Sequence, residues 1–417
     1  MHRIVIHGGK KLRGSARVSG SKNAALPILI ATLLTEGKCV IRNIPKLADI
    51  DTTILLLRFI GKEIEVRGDT VFVSPKKKLR DTAPYDLVSK MRASVLVMGP
   101  LIARLGKVRV SLPGGCAIGP RPIDIHLDAF SKLGVKIDLQ AGYVEMRCDK
   151  LMGGKIRFRF PSVGATENLL LASVLAEGKT VLENSACEPE ITDLADVLNK
   201  MGGKITGAGT KKIVVEGVET LGGFVHSVIP DRIETATYLI AAAITKGDIT
   251  LENTDSRLLQ AVIDKLRESG LRINCRDNAI SAKWISALKP ADVKTNVYPG
   301  FPTDVQAQWM ALMSIVRGKS VIEETVFENR FIHAVELKRM GANLKIWPHK
   351  VAVTGVDSLS GAPVMVSDLR AGAALVLAGL AAKGRTEIHR VYHLDRGYEQ
   401  LEKKLKKLGA DIRRVKD

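Results

Sequence analysis

Polar and charged residues recur along this chain at one place in a repeating pattern. Lys22 with Asn23, Arg92, Gly164 in PSVGAT, Arg232, Asp304 and Arg370 stand 14 or 15 residues ahead of a glycine that opens a short β-like run. The residues in between are mostly apolar or small, so each position marks the start of a helix with little polar surface of its own. A helix start leaves backbone N–H groups unpaired and carries the positive end of the helix dipole. Together these make a ready site for an anion. Capping of the free N–H groups is a sufficient reason for Asp231, Asp304, Asp368 and Ser162. It explains Lys22, Arg92 and Arg370 poorly, because a cation opposes the dipole there; an anion shared between cation and helix start explains them better. Arg330 in ETVFENRF and Arg396 in YHLDRGYE both precede the second helix of their repeat, and that common position points them at one cleft.

A thiol adds a second chemistry. The stretch SLPGGCAIGPRPID (111–124) makes one repeat longer than the rest, with 28 residues between its two glycine anchors against 23–25 elsewhere. Its glycines loosen the loop and its prolines restrict it, the composition of a mobile lid over 111–122. Cys116 lies at the tip with Arg121 nearby, and a thiol beside a cation exchanges its proton near neutral pH. Cys39, Cys148, Cys187 and Cys275 are far apart and form no CxxC pair, so they read as inert thiols, with neither a disulfide framework nor a metal site.

The elements that position these residues come from an internal repeat. One anchor reads EGKCVI, LGKVRV, EGKTVL, KGDITL, RGKSVI and KGRTEI, with its glycines 66–72 residues apart. A second reads FIGKEI, KLGVKI, KMGGKI, ESGLRI, RMGANL and KLGADI, spaced by 68–73. Each unit reads as an apolar helix, a strand, a loop, an amphipathic helix stopped by glycine, and further strands. Helices such as TYLIAAAIT and AGAALVLAGLAA are apolar all round and must be buried on every side. The fold class is therefore α/β, with six repeated units around buried helices. Three units make a body of about 200 residues, giving two domains with the break near Pro230. An extra N-terminal strand within residues 1–20 could pair with either.

Composition narrows the function. The 417 residues carry a net charge of +19, which favours anionic partners. Aromatics are only 4%, too few to stack unpaired bases, so a nucleic-acid module is disfavoured. The longest apolar run, Ala371 to Ala382, falls short of a membrane span, and the opening MHRIVIHGGKK lacks a signal-peptide core; a cytoplasmic protein is expected. EGKT and RGKS look like P-loop ends, but Ser173 and Met313 stand where that motif needs glycine.

The motifs GSKNAALP, MRASVLVMGPL, SLPGGCAIGPRPIDIH, PSVGATENLLLASVLAEG, FPTDVQAQ, ETVFENRF, SDLRAGAALVLAG and HLDRGYEQLEKKLKKLGA closely resemble the enolpyruvyl transferases nearly end to end. The Cys-bearing loop matches the branch acting on UDP-N-acetylglucosamine at the outset of bacterial peptidoglycan synthesis, rather than the sister branch acting on shikimate 3-phosphate. The resemblance implies two inside-out α/β barrels of three repeats each, 1–20 with 230–417 and 21–229, closing like a clamp on substrate. It implies transfer of the enolpyruvyl group of phosphoenolpyruvate to the sugar 3-hydroxyl by addition and elimination, with loss of phosphate and no metal or organic cofactor. Both partners are small molecules, and no oligomeric state is implied. By the same resemblance Lys22, Arg121 and Arg396 hold the phosphate, and Arg330, Arg370 and Arg396 surround the carboxylate. Asn23, Asp304 and the backbone near Val326 position the sugar. Arg92, the run Arg121, Pro122, Ile123, Asp124, Ile125 and the run Ser162, Val163, Gly164 take the uridine diphosphate. Asp304 is the base, Cys116 the acid-side loop residue that fosfomycin alkylates, and Asp368 a further structural and catalytic aspartate.

Overall fold

In the computed structural model the described residues are 2–75, 78–88, 91–112 and 123–416. They form six four-stranded sheets, one for each repeat. In every repeat but the last the pattern is the same. The strand after the first anchor pairs antiparallel with the return strand of a hairpin and parallel with a strand that crosses over from elsewhere. Cys39–Arg42, for example, lies between Thr70–Pro75 and the crossing strand Val225–Ser227. Alternation sets the faces: in Lys179–Glu183 (KTVLE) Thr180 and Leu182 turn inward while Lys179 is exposed.

Residues 1–20 form two strands rather than the single extra strand expected. Arg13–Arg17 is the parallel crossing strand beside Asp248–Glu252 of the fourth repeat. His2–His7 runs antiparallel to both Arg385–His389 and Asp411–Lys416, and so completes the sheet of the sixth. The chain divides into two compact units. One contains Met1–Ser19 and Pro230–Asp417, and the other lies within residues 20–229. Each has its own hydrophobic core.

The helices after the polar positions are Lys22–Ala31, Met98–Leu105, Val163–Ser173, Arg232–Ile244, Gln306–Met313 and Leu369–Ala381. All eight residues of Gln306–Met313 are buried, as are all but the first of Arg232–Ile244. Two of the six begin later than their apolar runs do. Arg92–Val97 and Thr303–Val305 are 3-10 turns that lead into the α-helices. In the first case Pro100 has no N–H to bond back to Leu96, which confines it to the first α-helical turn.

The second-anchor glycines adopt the left-handed conformation that closes a helix, from φ 82° at Gly134 to 132° at Gly61. Gly355 serves a different need. Its N–H donates to the Gly318 carbonyl, and a Cβ added to it would lie 1.7 Å from the Val316 oxygen. Gly355→Ala should therefore cost about 3 kcal/mol of stability through forced backbone displacement, read as a lower urea midpoint; an unchanged midpoint contradicts this packing.

Candidate active site

Asp304 lies in the turn just before the buried helix Gln306–Met313, and two arginines close on it. Arg330 Nη2 donates to Asp304 Oδ1 and Arg370 Nη2 to Asp304 Oδ2, both at 2.7 Å. Both arginines are 6% exposed, whereas the Asp304 side chain is 26% exposed. Burial alone pushes the Asp304 carboxyl up, but the Arg370 and Arg330 charges and hydrogen bonds outweigh it and hold the group well below the usual carboxylate range. Asp304 is thus an ionised carboxylate shared by two cations. It is not the helix cap that the sequence allowed: Pro302 occupies the cap position of the Thr303–Val305 turn, and the Asp304 side chain turns to the arginines instead.

A buried polar layer aligns this cluster. Gln308 Nε2 donates to the Asp304 carbonyl (3.0 Å) and to Tyr398 Oη and Thr237 Oγ1 (both 3.2 Å). Tyr398 Oη in turn accepts from Arg370 Nη1 at 3.4 Å, and its ring lies 5.6 Å from the Arg370 guanidinium. The Arg330 guanidinium lies 4.9 Å from the Phe327 ring centre. The Val326 N–H donates to Glu324.

Arg370 belongs to the first turn of Leu369–Ala381, which Asp368 caps by accepting from Arg370 N (2.9 Å) and Ala371 N (3.1 Å). The anion that excuses a cation at this helix start is thus supplied by the protein itself, as Asp304. Burial lowers His333 to about 4 against the opposing pull of Asp368, so its ring is neutral at pH 7. Burial, then the Arg396 charge, lowers His393, while Asp368 opposes them; Arg396 and Asp368 therefore share the surroundings of His393.

In the other unit Lys22 opens its helix and donates from Nζ to Asp49 Oδ2 at 3.1 Å. Asn23 follows in the same turn, and Ser21 caps it through Ala24 N. Ser162 caps Val163–Ser173 through Ala165 N. Gly164 leaves room for the His126 ring, since a Cβ there would lie 3.3 Å from His126 Cε1. His126 shares a helix with Asp124 and Ile125, preceded by Ile123, so these residues meet the Ser162–Gly164 turn through it. Asp124 is paired with Arg159. Cys116, Arg121 and Pro122 lie outside the described residues, as does the Arg92 side chain.

Several partners carry no sequence signal of their own. Asp49 is one more acid near the start of an amphipathic helix until Lys22 is seen against it. Glu167 is buried, and burial followed by the Glu190 and Glu188 charges pushes it well above the usual carboxylate range. Burial also raises the thiols of Cys39, Cys148 and Cys187, the direction that makes a cysteine inert. Among the described residues no group of three or more His, Cys, Asp or Glu is placed to hold a metal ion, and no helix is long and apolar enough to cross a membrane.

In the unit of the first and last stretches of chain, two buried arginines thus converge on one carboxylate beside the starts of buried helices. The family profile described as EPSP synthase (3-phosphoshikimate 1-carboxyvinyltransferase) matches residues 6–405, and the chain belongs to that carboxyvinyl transferase family. Within it, the chain is 62% identical, over 99% of both chains, to a UDP-N-acetylglucosamine 1-carboxyvinyltransferase of Endomicrobium trichonymphae. It is 57% identical, over the whole of both, to a protein of the same name from Solidesulfovibrio magneticus. Among solved structures, the enolpyruvyl transferase NikO from Streptomyces tendae superposes with TM-score 0.91 at 28% identity, covering 99% of each chain. EPSP synthase from Acinetobacter baumannii shares the fold, with TM-score 0.78 at 20% identity over the whole of both chains.

The depressed Asp304 carboxyl has a pH signature. An ordinary aspartate titrates near 3.8, so the unfolded chain binds this proton before the folded one does. The stabilisation is complete above that value and is lost as pH falls toward the native pKa. Asp304→Asn is therefore less stable than wild type at neutral pH, and the gap narrows between about pH 5 and about pH 2. Urea midpoints across that range test it; a constant gap contradicts it.

Proposed function

We propose that this chain transfers the enolpyruvyl group of phosphoenolpyruvate to the 3-hydroxyl of UDP-N-acetylglucosamine, releasing phosphate, in the bacterial cytoplasm as the first committed step of peptidoglycan synthesis. The observation that carries this reading is 62% identity across 99% of both chains with a relative of that name. The clamped Asp304 supports it from the side of chemistry. The family profile's own description names the shikimate acceptor, which makes shikimate 3-phosphate the second acceptor to compare.

In this reading Arg330 and Arg370, with Arg396, bind the phosphoenolpyruvate carboxylate, and Lys22, Arg121 and Arg396 bind its phosphate. Asn23, Asp304 and the Val326 backbone orient the sugar. Arg92, residues 121–125 and residues 162–164 take the uridine diphosphate. In the addition step the 3-hydroxyl oxygen bonds to C2 of phosphoenolpyruvate, its proton passes to Asp304, and the C3 methylene takes a proton from Cys116. In the elimination step a C3 proton returns to the Cys116 thiolate, the C2–O bond to phosphate breaks with its electron pair going to the phosphate oxygen, and the enol ether forms as the departing inorganic phosphate carries off the proton held by Asp304. An Asp304 clamped by two guanidinium groups is a poor base. When a substrate carboxylate draws Arg330 and Arg370 toward itself, the charges holding the Asp304 proton off are shared, and its basicity rises as the hydroxyl arrives. Asp368 caps the helix that presents Arg370.

Phosphate release separates the acceptors. Phosphoenolpyruvate with UDP-N-acetylglucosamine should release phosphate continuously, and with shikimate 3-phosphate should release none; the reverse outcome moves the chain to the sister activity. Fosfomycin should add to Cys116 alone, as read by mass spectrometry of digested protein, and Cys116→Ser should prevent the addition. A label on Cys39, Cys148, Cys187 or Cys275 removes Cys116 from its assigned place.

A further inference from the structure

The sixth residue after the first-anchor glycine has a recurrent task in this fold. In the first, third and fourth repeats it is Asn43, Asn184 and Asn253. All three are left-handed, with φ of 59°, 55° and 56°. Each donates its side-chain amide to the carbonyl of the residue that follows the crossing strand: Val228 (2.8 Å), Phe158 (2.9 Å) and Val18 (2.7 Å). This is a structural clasp, repeated without regard to the site.

The other three repeats carry Leu112, Glu324 and Arg390 at this place, and Glu324, in the fifth, has no proton to donate when ionised and does not share the left-handed backbone. Glu324 is 1% exposed. Among the described residues no cation forms an ion pair with it, yet its carboxylate accepts four hydrogen bonds. Oε1 receives Thr295 Oγ1 at 2.9 Å, Val326 N at 2.9 Å and Phe327 N at 3.1 Å. Oε2 receives Thr303 Oγ1 at 2.8 Å. Thr295 follows the crossing strand Val293–Lys294; its carbonyl, the clasp's usual acceptor, takes the Thr325 hydroxyl at 2.6 Å, and its own hydroxyl donates to Glu324 in exchange. The exchange frees Glu324 to do two more things. It fixes the turn bearing Val326 and Phe327, whose ring lies against Arg330. It also holds the Thr303 hydroxyl, which accepts from Arg330 Nη1 at 3.2 Å and precedes Asp304 in the chain.

We propose that Glu324 is a positioning residue for the transfer reaction: it substitutes for the repeat's asparagine in order to lock the Val326–Phe327 turn, Arg330 and the Asp304 segment into one geometry. It touches neither arginine, and it acts through Thr303 and Phe327. A buried carboxylate with four donors is costly to desolvate and strongly directional once satisfied. A repeat that departs from its own rule beside charged site residues is where function is expected to override fold economy.

The inference rests on the reading that Arg330 and Asp304 serve enolpyruvyl transfer. Its test is the kinetics of the full chain with phosphoenolpyruvate and UDP-N-acetylglucosamine. Glu324→Ala should lower kcat by about 10²-fold, the scale of a small misplacement of reacting groups, while the protein still melts cooperatively. Glu324→Gln keeps an oxygen for Thr295, Val326 and Phe327 and should recover most of that loss. Equal impairment of the two variants, or an alanine variant with wild-type kcat, overturns the proposal. Thr303→Val covers the case in which Glu324→Ala does not fold, because it cuts only the link to Arg330. It should lower kcat more than it raises KM for UDP-N-acetylglucosamine, and a wild-type kcat there also overturns the proposal. A wild-type chain that releases no phosphate from this substrate pair removes the functional reading itself; an active wild type with indifferent Glu324 and Thr303 variants removes this inference alone.

Discussion

Two guanidinium groups buried close together repel each other and have each given up most of their water, so they persist only with an anion between them. In this protein that anion is Asp304, with an oxygen 2.7 Å from each of Arg330 and Arg370. The rest of the first and last stretches of chain serves that contact. The helix Gln306–Met313 places Asp304, the helix Leu369–Ala381 places Arg370, and the loop after Lys319–Glu323 places Arg330. Tyr398, Gln308 and Glu324 then remove the freedom of each group to settle elsewhere. In the proposed reaction the arrangement is a loaded one: a substrate carboxylate competes for the arginines with the very group that must become a base.

The repeat explains why such a cluster forms at one place. An apolar helix buried on every side has polar needs only at its ends, so its start is where charged side chains gather. Three such helices in one unit bring three starts into play, and they are dealt with in two ways. Asp231 and Asp368 cap theirs directly. Asp304 leaves the capping position and is drawn to the arginines. The same logic in the residue 20–229 unit gives Ser21 and Ser162 as caps and sets Lys22 against the buried Asp49.

Much of this was legible in the sequence for a specific reason. Glycine anchors and apolar runs are local features, and counting back from Gly318 and Gly384 lands on Asp304 and Arg370. Arg330 and Arg396 were visible through their common place ahead of a second helix. What stayed hidden depends on contacts between segments remote in the chain. Lys22 and Asp49 are 27 residues apart, and Arg370 and Asp304 are 66 apart. Asp304 therefore looked as good a cap as Asp368 until the helix was seen to begin two residues later. Composition shows the two N-terminal strands as a single stretch, because their destinations, in the fourth and sixth sheets, are set by pairing. Glu324 stands beside a second acid, Glu323, at a place set by the repeat, and its burial and four donors are what separate it from a surface glutamate.

The central claim is that Arg330 and Arg370 are held for a substrate carboxylate. Calorimetric titration of the full chain with phosphoenolpyruvate, comparing wild type with a folded Arg370→Met variant, tests it most directly. The account predicts affinity at least about tenfold weaker in the variant, the scale of losing a charged hydrogen bond. Equal affinity in the two proteins would contradict it, and would leave the Asp304 cluster as scaffold only.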